Sequence, residues 1–214
     1  MAVISLLKRK GGSGSSTIAA HLGVEFANRA GSAAILDADP QQSLVRWAQG
    51  SEEGLLHRMV RKAANLEDSE FRALLEKAKA EHPWVIIDCA PGLDGSALTA
   101  AHLADVILIP CRPSVLDTDL AGDAMRAAVM VKQDGGRIAF VPSANLPHTK
   151  VGRALAGDLG AVGATQGATV MPGITHRIKL AEAPLNGTTL QESEPNGDGA
   201  KEFAALADAV EALL

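Results

Sequence analysis

The segment Lys10-Gly11-Gly12-Ser13-Gly14-Ser15-Ser16-Thr17 constrains this chain more than any other because of what flanks it. An apolar run, Ala2-Val3-Ile4-Ser5-Leu6-Leu7, leads in, and a stretch of helical character from Ser16 to Arg29 leads out. A buried strand, a glycine-rich turn and a helix, in that order, open a βα unit. Gly11, Gly12 and Gly14 let the backbone wrap closely around an anion, and the helix N-terminus adds N–H donors with a partial positive charge. The loop therefore reads as a cradle for phosphate. One element is out of place. Such loops carry Gly-Lys-Ser/Thr, and this chain has Gly14-Ser15-Ser16, with no lysine to reach the β- and γ-phosphates as a point charge. Nucleotide binding is expected, and turnover is expected to suffer.

The rest of the chain repeats the strand–helix alternation. Ser32–Asp37, Trp84–Asp88, Val106–Ile109, Ile138–Val141 and Ala168–Met171 read as strands. Between them, Ser43 to about Gly50, Asn65–His82 and Leu120–Lys132 read as helices, and Lys201–Leu214 closes the chain as another. Continuous apolar strands separated by helices predict an α/β fold: a mostly parallel twisted sheet with helices on both faces, here as a single domain over residues 1–214. With four Phe, two Trp and no Tyr, the core must be largely aliphatic. The polar stretch Gly187–Gly199 reads as a loop. No apolar run approaches the ~18 residues of a membrane span, no secretory leader is apparent, and a cytoplasmic location is expected.

Ligands of such sheets bind beyond the C-terminal strand ends. Three carboxylates gather there: Asp37 and Asp39 in Asp37-Ala38-Asp39-Pro40-Gln41, and Asp88 in Ile87-Asp88-Cys89-Ala90-Pro91-Gly92. Ser16 is placed to ligate Mg²⁺, Asp88 to hold that ion through water, and one of Asp37 and Asp39 to orient an attacking water. Cys89 and Cys111 lack metal-ligand spacing and read as buried core thiols.

Taken together, these motifs resemble the ParA/MinD-type ATPases. Lys10-Gly11-Gly12-Ser13-Gly14 matches their deviant Walker A motif, whose pattern is Lys-Gly-Gly-x-Gly-Lys-Ser/Thr-Thr, and Arg9 stands where an ordinary P-loop has glycine. Asp37–Gln41 is similar to the family's Asp-x-Asp-Pro-Gln switch, and Val85–Gly92 to its Walker B region. Ala104–Pro110 with Arg112-Pro113-Ser114 and Asp117, and later Ile178–Pro184, resemble further family segments in the right order. The resemblance implies a small ParA-like partition protein using ATP/ADP and Mg²⁺. It implies that Lys10 is the signature lysine, reaching the partner's phosphates across an ATP-sandwiched homodimer. The alternative for Lys10 is a solvated strand end, with Lys8 and Arg9 beside it. The resemblance further implies that Gly11, Gly12, Ser13, Gly14, Ser15, Ser16 and Thr17 hold the phosphates. Asp39 positions water, Ser16 and Asp88 serve the metal, and Asn145 and Pro172 lie near adenine.

Within that frame Ser15 is the departure. Losing a cation beside a tetra-anionic ligand should cost on the order of 2–4 kcal/mol. The expectation is impaired hydrolysis, faster in a Ser15→Lys variant. Family members differ in what they bind. The last helix carries Glu202, Asp208 and Glu211 with Lys201 its one cation, which favours core packing over a membrane surface. Net charge is −5, so DNA binding would need a local patch. Lys150, Arg153, Arg177 and Lys179 are its candidates, and nonspecific DNA, nucleoid association and a small centromere-binding or adaptor protein follow by resemblance. Three other readings are a non-hydrolysing nucleotide-binding scaffold, a MinD-like positioning ATPase and a reductase like the nitrogenase iron protein. The last would need cluster-bridging cysteines, which Cys89 and Cys111 fit poorly.

Overall fold

The computed structural model describes residues 1–214. Seven strands, β1 (Ala2–Lys8), β2 (Ala34–Asp37), β3 (Val60–Lys62), β4 (Trp84–Pro91), β5 (Val106–Cys111), β6 (Arg137–Pro142) and β7 (Thr169–Val170), form one sheet in the order β3-β2-β4-β1-β5-β6-β7. Every pairing is parallel. The helices are α1 (Ser15–Ala30), α2 (Ser43–Ala48), α3 (Leu55–Met59), α4 (Asp68–Glu81), α5 (Gly95–His102), α6 (Val115–Val131), α7 (Lys150–Gly163), α8 (Ile178–Glu182), α9 (Leu190–Ser193) and α10 (Asp198–Glu211).

Side-chain alternation sorts the sheet into two faces. Ile4, Leu6, Ile35 and Ile86 pack with α1 and α10, while Val3, Leu7, Leu36, Val85 and Ile87 pack with α4, α5 and α6. The last helix buries Phe203, Leu206, Ala207 and Val210 in the first of these cores, which is the core-packing role expected of it. No helix is long and apolar enough to cross a membrane.

The main differences from the sequence expectation have physical causes. Strand β3 is three residues, Val-Arg-Lys, too short and too charged to show a pattern. Helix α4 begins at Asp68 rather than near Asn65, which adopts φ 61°, and a capping box between Glu67 and Glu70 fixes the start. Helix α7 is rich in glycine and so lacks a propensity signal. Its Gly152 is required because a Cβ there would collide with the Leu146 carbonyl. The stretch 187–199 contains the short helix α9, opened by a capping box between Thr189 and Glu192.

Candidate functional site

β1 lies between β4 and β5 at the centre of the sheet, and the loop after it carries the glycines. Gly12 (φ 78°) and Gly14 (φ 90°) take left-handed conformations that a side chain would strain. No side chain caps α1, so its first-turn N–H groups are available to an anion. A cleft of about 620 Å³ opens over them, lined on one side by Gly11, Gly12, Gly14, Ser15, Ser16 and Thr17. Asp39, Gln41, Ser43, Arg46, Trp47 and Pro184 line the other side. That volume is in the range of small-molecule sites. Gly14 and Thr17 also border a second cavity of about 160 Å³, walled by Ser143, Ala144, Ile174, His176 and Arg177.

The place left by the absent lysine is not empty of charge. Lys8, the last residue of β1, is 4% exposed. Its Nζ donates to Ser15 Oγ at 2.6 Å and to Asp88 Oδ1 at 3.0 Å, and lies 3.4 Å from Asp39 Oδ2. Burial by itself pulls the ammonium's pKa down; the Asp88 charge and hydrogen bond, with Asp39, outweigh it and hold the pKa above the usual lysine value. The run Lys8-Arg9-Lys10 is therefore not a uniformly solvated strand end. Lys8 shares the parity of Ile4 and Leu6 and turns toward α1, while Arg9 is exposed. That parity was readable in the sequence and would have found it.

The same parity sets the carboxylates. Asp88 is the register partner of both Leu6 and Asp37 and is fully buried. Its Oδ2 accepts from Ser16 Oγ at 2.5 Å. A hydroxyl and a carboxylate side by side at the start of α1 are hard oxygen donors of the kind Mg²⁺ takes, so these two residues fit that ion. Asp37 and Asp39 divide their tasks. Asp37 is fully buried, and its carboxylate accepts the N–H groups of Leu44 and Val45 (both 3.0 Å) and Asp39 (3.2 Å), thereby capping α2. Burial lifts its pKa despite those bonds. Asp39 lines the cleft, tethered by Gln41 N–H at 2.9 Å.

Lys10 is half exposed and pairs with Asp117 on the first turn of α6, where Arg112 also reaches the carboxylate at 3.3 Å. Ser13 is buried, and its carbonyl accepts a 2.6 Å bond from Ser143 Oγ, which ties the loop to the end of β6. Ser143 had no sequence signal beyond following a strand. Asn145 and Pro172 line neither cavity. The Asn145 carboxamide accepts its neighbour's N–H, from Leu146 at 2.8 Å, and its backbone bridges to Thr175. The four basic candidates do not converge on one geometry. Lys150 and Arg153 are exposed on the first turn of α7; Arg177 pairs with Glu202 at 2.7 Å and Lys179 with Glu194.

Cys89 and Cys111 are both buried, as expected, and burial pushes their thiols up to about 12 and about 11. Such buried thiols are inert toward solvent.

Comparison with known proteins identifies the family. The model of the CobQ/CobB/MinD/ParA nucleotide binding domain matches residues 4–204. Protein ParA of Rhizobium radiobacter is 29% identical over 126 residues, 59% of this chain and 55% of that protein. Maintenance of carboxysome distribution protein A of Halothiobacillus neapolitanus is 33% identical over 117 residues, 53% of this chain and 52% of that protein. The chain thus spans about half the length of the curated relatives it matches. Among solved structures, the ATP complex of a Cyanothece McdA variant superposes with a TM-score of 0.74 at 19% identity, covering 99% of this chain and 96% of that one. The chain belongs to the CobQ/CobB/MinD/ParA nucleotide-binding domain family.

Proposed function

We propose that this protein is a ParA-like ATPase that closes as a homodimer around ATP, associates with nonspecific DNA and so positions a cargo such as a plasmid, a chromosome region or a protein organelle. The observation that carries the reading is the cleft over the N-terminus of α1, where a glycine loop, Ser16, Asp39 and Asp88 converge. The triphosphate would lie along Gly11–Thr17, with the base toward the cavity beside Ser143 and Ile174. Ser16 and Asp88 would hold Mg²⁺, which when bound neutralises phosphate charge. Asp39, tethered but facing the cleft, would orient the attacking water.

Dimerisation is supported by the surface beside Lys10. Val115 and Leu116, at the start of α6, are 72% and 71% exposed, an apolar step next to the Lys10–Asp117 pair. Lys10 would leave Asp117 to reach the partner's phosphates. DNA association would rest on Lys150 and Arg153, the two candidates without a carboxylate partner, with Arg177 and Lys179 contributing less. A centromere-binding or adaptor protein would trigger release, and the dimer would sit on the nucleoid. The impaired hydrolysis expected from Ser15 depends on whether another cation serves the phosphates.

Equilibrium binding of ATP, with sedimentation to follow dimer formation and turnover measured with and without DNA, tests the reading. Wild-type protein should bind ATP and dimerise with it. Asp39→Asn should keep ATP within about tenfold of wild-type affinity and lose turnover on the order of 10²-fold or more. Absence of ATP binding in the wild type would end the proposal.

A further inference from the structure

We infer that Lys8 is the phosphate-binding lysine of this site, delivered from the end of β1 to the space that Ser15 leaves open; this rests on the nucleotide reading above. Three observations carry it. First, Lys8 faces the cleft alongside Gly11, Gly12, Gly14, Ser16 and Thr17, so its ammonium borders the volume that the loop encloses. Second, the contact to Ser15 ties the two departures together. At 2.6 Å from Lys8 Nζ, Ser15 Oγ stands where the Cγ of a lysine at position 15 would begin. Both side chains are 4% exposed, so a second ammonium placed here would sit against the first, like charge beside like charge in a partly desolvated site. A small acceptor at 15 and a lysine at 8 are therefore one arrangement, not a loss and an unrelated charge. Third, the ammonium is held by more than an ion pair needs. Asp88 and Ser15 take hydrogen bonds at 3.0 and 2.6 Å, while a third partner, the Asp39 carboxylate, is 3.4 Å away.

That third contact is the weakest of the set, and a phosphate oxygen is the natural replacement for it. In this arrangement an arriving triphosphate draws the ammonium from Asp39 and releases that carboxylate, while Asp88 and Ser15 keep the lysine aimed. An Asp88 oxygen thereby steers Lys8 as its partner oxygen steers Ser16. A cation is fixed before the ligand comes, which limits the ordering cost of binding.

The test is the affinity for ATP, ADP and AMP, each with Mg²⁺, of wild type, Lys8→Met and the double variant Lys8→Met/Ser15→Lys, with thermal melting to verify folding. Lys8→Met should weaken ATP on the order of 30-fold or more and ADP less, with AMP little changed, because one charge-assisted contact to the outer phosphates is lost. The double variant restores one ammonium and should regain ATP affinity to within about threefold of wild type. It also keeps a positive charge beside Asp88 should the single variant fail to fold. Equal loss for all three nucleotides in a folded Lys8→Met protein would make Lys8 a structural residue and overturn the inference. So would unchanged ATP affinity, or a folded double variant that does not recover. A wild type that binds no nucleotide would instead fail the reading beneath it.

Discussion

Two cationic regions of this molecule look alike in sequence and differ in physics. At the head of α1, Lys8 is buried, aimed by two carboxylates and a serine, and raised in pKa. On the surface, Lys150, Arg153, Arg177 and Lys179 are spread over two elements, and two of the four already spend their charge on Glu202 and Glu194. A buried charge survives only if its surroundings are built for it, so its position is fixed. An exposed charge is screened by water and salt and is free to be scattered. The first region has the geometry of a site for one ligand. The second has the character of a diffuse electrostatic surface, in a chain whose net charge is −5.

Stability separates the two most sharply. Lys8→Met leaves Asp88 as a buried carboxylate without its cation and should cost about 3–5 kcal/mol in urea unfolding. Lys150→Met should fall within about 0.5 kcal/mol of wild type. Similar costs at the two positions would erase the contrast.

The floor behind the cleft adds a pH signature. His21 is fully buried on α1, stacked on Phe203 at 4.5 Å, with Nδ1 donating to the Thr17 carbonyl at 2.9 Å. Burial lowers its pKa to about 4 from the usual 6.5. Between those values the unfolded chain takes up a proton that the folded protein refuses. Stability should therefore fall as pH drops from about 6.5 to 4, by about 1.4 kcal/mol per unit from this group, and this contribution should level off below. Unfolding free energies measured across that range in His21→Gln should lack this slope.

The smallest effects belong to the surface. Arg153→Glu should weaken nonspecific DNA binding about tenfold and flatten its dependence on salt. Glu194→Gln frees Lys179 and should strengthen binding a few-fold. Fluorescence anisotropy on a short duplex over a salt series reads both. No response to either would remove this face from consideration.

Much of this was written locally. The apolar runs ending in Asp37 and Asp88, and the glycines after β1, announce a parallel sheet with a phosphate cradle at its C-terminal edge. What the chain does not announce is decided by contacts distant in sequence. Asp37 and Asp39 are equivalent on paper, and only the start of α2 claims the first for backbone N–H groups. Strand β3 exists because β2 offers it an edge, not because Val-Arg-Lys favours extension. Lys8 sat among charges and looked solvated, yet the period-two alternation with Ile4 and Leu6 marked it as inward. Its contact with Ser15 joins residues seven apart across the glycine loop, a pairing that only the folded loop creates.

The most direct measurement is the affinity of Mg²⁺-ATP for the single variant Ser15→Lys beside wild type. If Lys8 already supplies the phosphate cation, a second ammonium crowds it, and Ser15→Lys should bind ATP no better than wild type and by several-fold worse. If the site truly lacks its cation, restoring the family residue should tighten binding tenfold or more, and that result would contradict the account.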